Sequence, residues 1–103
     1  MVPKDTFKDY VLEQLSAVPE VHCRPMFSGY GLYLGKNFFG IISDAQLYFR
    51  TDDMTSQRYK IAGMKPFAPS DKQVLKNYYE VPVEVLEDRN SLETWAREAA
   101  SLE

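Results

Sequence analysis

The residues best suited to nucleophilic chemistry are His22 and Cys23, which are adjacent and are the single histidine and single cysteine of the chain. A Cys/His catalytic pair needs the imidazole to face the thiol. Side chains of neighbouring residues on an extended segment point to opposite faces, so this geometry is poor. A zinc site needs about four ligands, and no further cysteine or histidine exists. We therefore interpret His22 and Cys23 as structural residues.

Two pairs of adjacent carboxylates, Asp52-Asp53 and Glu87-Asp88, are candidates for acid–base chemistry. Paired-acid catalysis needs carboxylates that converge from distant positions, whereas adjacent acids at a helix start complement its positive end. The segment Gly29-Tyr30-Gly31 is not a phosphate-binding loop, because strands follow where such a loop needs a helix. The sequence thus predicts no catalytic residue, no metal ligands and no cofactor.

Aromatic and arginine side chains in the predicted strands are candidates for binding. Tyrosines can stack on nucleic-acid bases, although packing within the protein is the interpretation that we favour. Arginines flanked by apolar residues are either paired internally or available to an anion or a partner. A small-ligand pocket would draw first on Arg24, Tyr48 and Arg50. The full set of candidate binding residues is Arg24, Tyr30, Tyr48, Arg50 and Tyr79.

Length and charge limit the possible partners. The 103 residues fit a single domain, residues 1–103, with one hydrophobic core. The net charge is −3, and residues 80–103 hold two Lys/Arg against seven Asp/Glu. Such an acidic segment would repel a phosphate backbone and attract a basic protein surface, so we expect a protein partner, with direct nucleic-acid binding as the alternative. The lone cysteine and the lack of a long apolar stretch predict a cytoplasmic protein without a membrane span.

The secondary structure that positions these residues follows from hydrophobic spacing and turn residues. We predict helices over 4–18, 52–62 and from Asn90 or Ser91 onward, with one helical turn at 83–87; we predict an extended segment at 22–27 and strands at 32–34, 38–42, 47–50 and 74–81. Residues 65–70, with two prolines, are predicted to be irregular. The expected fold is α+β: an N-terminal helix, an antiparallel meander, a further helix and strand and a C-terminal helix, with one layer of helices against one sheet. A free meander edge would also allow a homodimer.

The segment from Arg24 to Gly31 resembles the Arg-x-Met-Phe-Gly-Gly-Tyr-Gly signature of the TfoX/Sxy N-terminal domain family, with Ser28 where a glycine is usual. The resemblance covers about residues 5–100. It continues through Phe39, Leu47-Tyr48, Gly63-x-x-Pro66-Phe67, Tyr78-Tyr79-x-Val81-Pro82, Leu86-Glu87-Asp88 and Trp95-Ala96.

The resemblance implies a cytosolic bacterial regulator, of a family named for the activation of competence genes. Better-known members are thought to assist transcription together with the cyclic-AMP receptor protein. They also carry a second domain that resembles helix–hairpin–helix modules, whereas this chain is expected to be a stand-alone N-terminal domain. The resemblance therefore implies a regulatory protein that is not an enzyme.

Overall fold

Residues 4–26, 29–70 and 72–102 are described by a computed structural model of the protein. The helices are α1 (Lys4–Gln14), α2 (Ser56–Ile61), α3 (Val83–Leu86) and α4 (Arg89–Ala100). The strands are β1 (Val21–Met26), β2 (Gly29–Leu34), β3 (Asn37–Ser43), β4 (Gln46–Arg50), β5 (Pro66–Ser70) and β6 (Gln73–Glu80). The predicted α+β class is confirmed. Phe27 and Ser28 of the resembling segment lie outside the described residues.

The six strands form one antiparallel sheet in the order β1-β2-β3-β4-β6-β5. Strands β2 to β4 are the predicted meander, the predicted extended segment at 22–27 adds β1 to it, and β6 pairs next to β4. Both edge strands contain proline: Pro25 lies in β1, and Pro66 and Pro69 lie in β5. Because proline has no backbone N–H to donate, these residues disfavour the addition of another strand at either edge. The edges are therefore poor routes to the expected homodimer.

The helices pack on one face of this sheet. Alternation places Leu47 and Phe49 of β4 inward, as predicted, and both are almost fully buried. The helical side of the core comes from apolar residues of all four helices and of the turn after α1, namely Val11, Leu15, Tyr59, Val85, Leu92, Ala96, Ala99 and Ala100. The strand side includes Leu32, Phe39, Ile42, Leu47, Phe49 and Tyr79. The opposite face of the sheet carries no helix among the described residues, and we call it the helix-free face.

Part of the helix-free face is covered by β5. The ring of Phe67 lies 4.7 Å, centroid to centroid, from the ring of Tyr48, two strands away. Phe67 is buried, and so is Ile41, which faces the same side from β3. The β5–β6 hairpin thus curves over one half of the helix-free face and leaves the other half open.

Several predicted boundaries differ from the structure, and α2 begins at Ser56 rather than at residue 52. Residues 66–70 form a strand rather than an irregular segment, because prolines are tolerated on a sheet edge. The first helix ends at Gln14, and the chain continues through tight turns up to Val18, ahead of Pro19. The last helix is capped by Asp88 rather than by Asn90 or Ser91. The Asp88 carboxylate accepts hydrogen bonds from the backbone amide of Asn90 and the hydroxyl of Ser91.

The two-residue turn between β3 and β4 contains residues with strained backbones. Asp44 and Ala45 both have positive φ angles, of 52° and 58°. This is the left-handed region that a tight hairpin of this kind requires and that glycine adopts most readily. We expect Ala45→Gly to raise the free energy of unfolding by roughly 0.5 kcal/mol, since relief of strain outweighs the added chain entropy. Urea denaturation measures this change, and a destabilised variant would contradict it.

Candidate binding surfaces

The residues suited to catalysis do not assemble into an active site. His22 lies on the helix-free face, where its ring stacks on Tyr33, with 5.6 Å between centroids and planes 14° apart. Cys23 points to the other face and packs against the helical core. The expected geometry, in which the imidazole and the thiol face apart, is therefore confirmed. Among the described residues, no three His, Cys, Asp or Glu side chains are grouped as metal ligands would be.

One carboxylate of each adjacent pair accepts hydrogen bonds from backbone amides near the start of a helix. Asp52 accepts hydrogen bonds from the amides of Met54 and Thr55, at 3.0 and 2.8 Å, in the turn that leads into α2. The amide of Thr55 is the main cause of the lowered pKa of Asp52. Asp88 caps α4 in the same way, as described above. These two acids are thus fully explained as helix-start residues.

An aromatic row crosses the open half of the helix-free face. It consists of His22 on β1, Tyr33 on β2, Phe38 on β3 and Tyr78 on β6. The centroid distances are 5.6 Å from His22 to Tyr33, 5.3 Å from Tyr33 to Phe38 and 5.6 Å from Phe38 to Tyr78. His22 is exposed, and the other three rings are partly exposed. We call these four residues the ring row.

A bulge in β3 builds the ring row. Leu32 pairs with Gly40, but the next residue, Tyr33, pairs with Phe38, so Phe39 is an extra residue in its strand. Phe39 turns into the core, where it is fully buried, and Phe38 lies beside Tyr33 on the helix-free face. Without the bulge, strand alternation would place Phe38 on the helical side. The row therefore depends on one irregularity of pairing.

Two glycines of the segment 24–31 allow neighbouring groups to pack closely against the backbone of β2. A Cβ atom on Gly29 would lie 1.9 Å from the backbone oxygen of Ile42. A Cβ atom on Gly31 would lie 2.9 Å from the ring of Phe38, so the missing side chain at Gly31 makes room for the ring row. Both glycines are thus explained by the approach of neighbouring strands rather than by a ligand site.

The two candidate arginines have different surroundings. The guanidinium of Arg24 lies 5.2 Å from the centroid of the Tyr33 ring, and its side chain is exposed. Arg50 donates a hydrogen bond of 3.2 Å to the backbone oxygen of Leu102, just beyond α4, and lines a polar concavity together with Asp52 and Asp53. Within the described residues, neither arginine has a carboxylate within 4 Å. Arg24 is therefore the freer cation of the two.

The five candidate binding residues do not converge on one site. Arg24, Tyr48 and Arg50 belong to the helix-free face, but three strand spacings, roughly 14 Å, separate the strands of Arg24 and Arg50. Tyr48 donates a hydrogen bond of 2.8 Å to Gln46, and burial raises its pKa, with Glu80 adding to the shift. Tyr30 packs against the core beneath Lys8, and Tyr79 is 9% exposed within the core. The structure therefore gives no support to a ligand pocket built from Arg24, Tyr48 and Arg50.

Of the adjacent tyrosines 78 and 79, Tyr79 is the predicted binding residue, but Tyr78 is the one that the structure leaves partly exposed. The doublet Tyr78-Tyr79 must place one ring on each face of the sheet. The register pairs Tyr79 with buried Phe49 and Tyr78 with Arg50. Burial raises the pKa of Tyr78, while the charge of Arg50 opposes that shift. The exposed member of the doublet is thus Tyr78, a distinction that depends on the pairing partner.

A second surface, formed by α2 and its neighbour α4, was not predicted. Met54 and Ile61 are 83% and 87% exposed, the most exposed of the large apolar residues among those described. They border one open concavity, whose remaining lining residues are Thr55, Gln57, Arg58 and Glu98. We call these six residues the α2 surface.

The base of the α2 surface is built from packed side chains of α2 and α4. The guanidinium of Arg58 stacks 4.2 Å from the centroid of the Trp95 ring and pairs with the carboxylate of Glu98. Trp95 in turn packs edge-on against Tyr59, whose ring is 4.8 Å away and fully buried. These contacts fix α2 against α4, so the exposed apolar residues stand on a pre-formed support.

One family model, that of the TfoX N-terminal domain, matches residues 13–102. This chain belongs to the TfoX N-terminal domain family. The match spans the sheet, α2, α3 and nearly all of the described residues, in agreement with the resemblance read from the sequence. The TfoX N-terminal domain is not a known enzyme family. No curated protein matches the chain. Within the described residues, none of the helices is long and apolar enough to cross a membrane.

Proposed function

We propose that this TfoX N-terminal domain is a non-enzymatic regulatory domain that binds another protein through its α2 surface. The observation that carries the proposal is the exposure of Met54 and Ile61, which border a single concavity. Isolated apolar residues are common on protein surfaces, but a cluster around a concavity is typical of an interaction site. Methionine is also favoured at such sites, because its flexible side chain adapts to a partner.

Charge indicates the chemistry of the partner. Residues 81–102, which include α3 and α4, hold two Lys/Arg against five Asp/Glu. The exposed acids among them are Glu84, Glu87 and Asp88. The Arg58–Glu98 pair is neutral, and the exposed charges nearest in the chain to Met54 and Ile61 are Asp52, Asp53 and Lys60, a net −1. The partner that fits is a basic protein with an apolar contact residue.

The family supplies the biological setting of the proposal. We propose that the bound partner belongs to the transcription machinery or regulates it, as the competence role of the TfoX/Sxy family implies. The setting that we propose is the bacterial cytoplasm. The expected homodimer stays a proposal, and the prolines at both sheet edges argue that it would form through another surface.

Ile61→Glu tests the α2 surface directly. The substitution places a charge in the middle of an apolar contact, so we expect capture of the specific partner from native lysate to fall roughly tenfold or more. The matched control is Val74→Glu on β6, which makes the same change at an apolar residue that is 48% exposed on another part of the molecule. Quantitative mass spectrometry of the captured proteins is the measurement.

The comparison with the control defines the partner. A protein that the wild type and Val74→Glu retain equally, and that Ile61→Glu loses, is the partner. If every captured protein binds all three versions equally well, the α2 surface is not the docking site. Circular dichroism of the three proteins shows that any loss of binding does not come from unfolding.

A further inference from the structure

The ring row has the composition and exposure of a stacking platform. Its four rings come from β1, β2, β3 and β6 and form a row over five strands, on a face that no described helix covers. Three of the rings are partly exposed, and His22 is exposed. Aromatic side chains on an open sheet are the surfaces on which unpaired bases stack, because every base has a π-face.

Charge is divided unequally between the two sides of the molecule. Residues 21–50, the meander, hold Arg24, Lys36 and Arg50 against a single acid, Asp44. The segment 81–102 holds the opposite excess. The chain as a whole is acidic, but the meander is basic. The repulsion of phosphates that we expected from the acidic charge therefore applies to the helical side of the molecule.

Arg24 places a positive charge beside the ring row. Its guanidinium stands over the ring of Tyr33, and within the described residues it has no carboxylate partner. A guanidinium in this position can stack on a base with its plane and bind a phosphate with its N–H groups. From these observations we infer that the open half of the helix-free face binds single-stranded nucleic acid. The bases stack on the ring row, and the phosphates lie toward Arg24 and Lys36.

A single strand fits this face better than a duplex or an acidic protein. The row lies on a sheet, whereas duplex recognition inserts a helix or a strand ribbon into a groove and leaves the bases stacked on one another. An acidic protein would pair with Arg24 but would offer no planar groups to stack on the exposed rings. This site is distinct from the α2 surface, so it does not depend on the proposed protein partner.

Arg24→Glu tests the electrostatic part of the site. The probe is a fluorescent oligo(dT) of roughly 12 nucleotides, within the range of known single-strand site sizes. At low salt we expect wild-type binding, and we expect Arg24→Glu to weaken it roughly tenfold or more and to flatten the dependence of log K on log salt by about 0.7. The matched control is Lys60→Glu, which makes the same charge change at an exposed residue of α2.

An abasic strand of the same length separates stacking from charge. It presents the same phosphates without bases, so we expect it to bind roughly 5- to 100-fold more weakly than oligo(dT). His22→Ala, at an exposed end of the row, should reduce binding to oligo(dT) but not to the abasic strand.

Three outcomes would overturn the inference. The first is no binding of oligo(dT) at low salt, where electrostatic binding is strongest. The second is equal weakening by Arg24→Glu and Lys60→Glu, which would indicate a non-specific effect of net charge. The third is equal affinity for the abasic strand, for a duplex or for an acidic polypeptide such as polyglutamate.

Discussion

Replacing Gly29 with alanine is expected to lower the free energy of unfolding by roughly 3 kcal/mol or more. The new Cβ would lie 1.9 Å from the backbone oxygen of Ile42, so β2 and β3 must separate where they pair. Backbone atoms cannot move aside as a side chain can. For a domain of this size, the change corresponds to a fall of roughly 12 °C or more in Tm, which differential scanning calorimetry measures.

Gly31→Ala is the matched control for this prediction, because it makes the same change two residues later in the same strand. Its Cβ would meet the edge of the Phe38 ring, at 2.9 Å, rather than backbone. The ring can shift, and alanine is favoured over glycine in a strand, so we expect a cost below about 1 kcal/mol. Equal losses for Gly29→Ala and Gly31→Ala would show that the steric account of Gly29 is wrong.

Removal of the Tyr59 ring is expected to destabilise the fold about as much as Gly29→Ala. Tyr59 is 1% exposed and lies between Tyr79 of the sheet and Trp95 of α4. Tyr59→Ala leaves a cavity where α2, α4 and the sheet meet, and we expect a loss of roughly 3 to 5 kcal/mol in the free energy of unfolding. Urea denaturation at neutral pH is the measurement, and a loss below about 1 kcal/mol would contradict this account of the core.

Tyr59→Phe keeps the ring and tests its ionisation. Burial raises the pKa of Tyr59 well above the usual value near 10. The unfolded chain ionises this hydroxyl first, so the stability that Tyr59 contributes is complete below pH 10 and is lost as the pH rises toward the folded pKa. Between pH 8 and pH 11, we expect the free energy of unfolding to fall by roughly 1 kcal/mol less in Tyr59→Phe than in the wild type. Equal losses in both proteins would contradict the burial of the hydroxyl.

Much of the fold could be predicted from local patterns. The meander followed from short aromatic runs between turn residues, and alternation correctly placed Leu47 and Phe49 inward. The strand β5 could not be predicted, because its prolines favour a loop unless the segment is known to lie at a sheet edge. Edge position is a property of the whole sheet, and the local sequence does not reveal it.

The candidate surfaces were harder to predict than the fold. The ring row needs the cross-strand register and the bulge at Phe39, since these decide that Phe38 rather than Phe39 joins Tyr33. The α2 surface needs the knowledge that Tyr59 faces the core, which leaves Ile61 exposed. Aromatic and arginine content drew attention to the sheet, and binding at the sheet stays a prediction. Pairing between distant segments decides which ring is exposed in the doublets Phe38-Phe39 and Tyr78-Tyr79.

Chemical-shift mapping tests most directly whether the α2 surface binds a basic protein partner. The isotopically labelled chain is titrated with the partner that Val74→Glu retains and Ile61→Glu loses, and the backbone amide signals are followed. We predict that the largest changes fall on residues 54–61 and on the part of α4 around Glu98. Changes confined to β1 and β2, with the α2 signals unmoved, would contradict the claim.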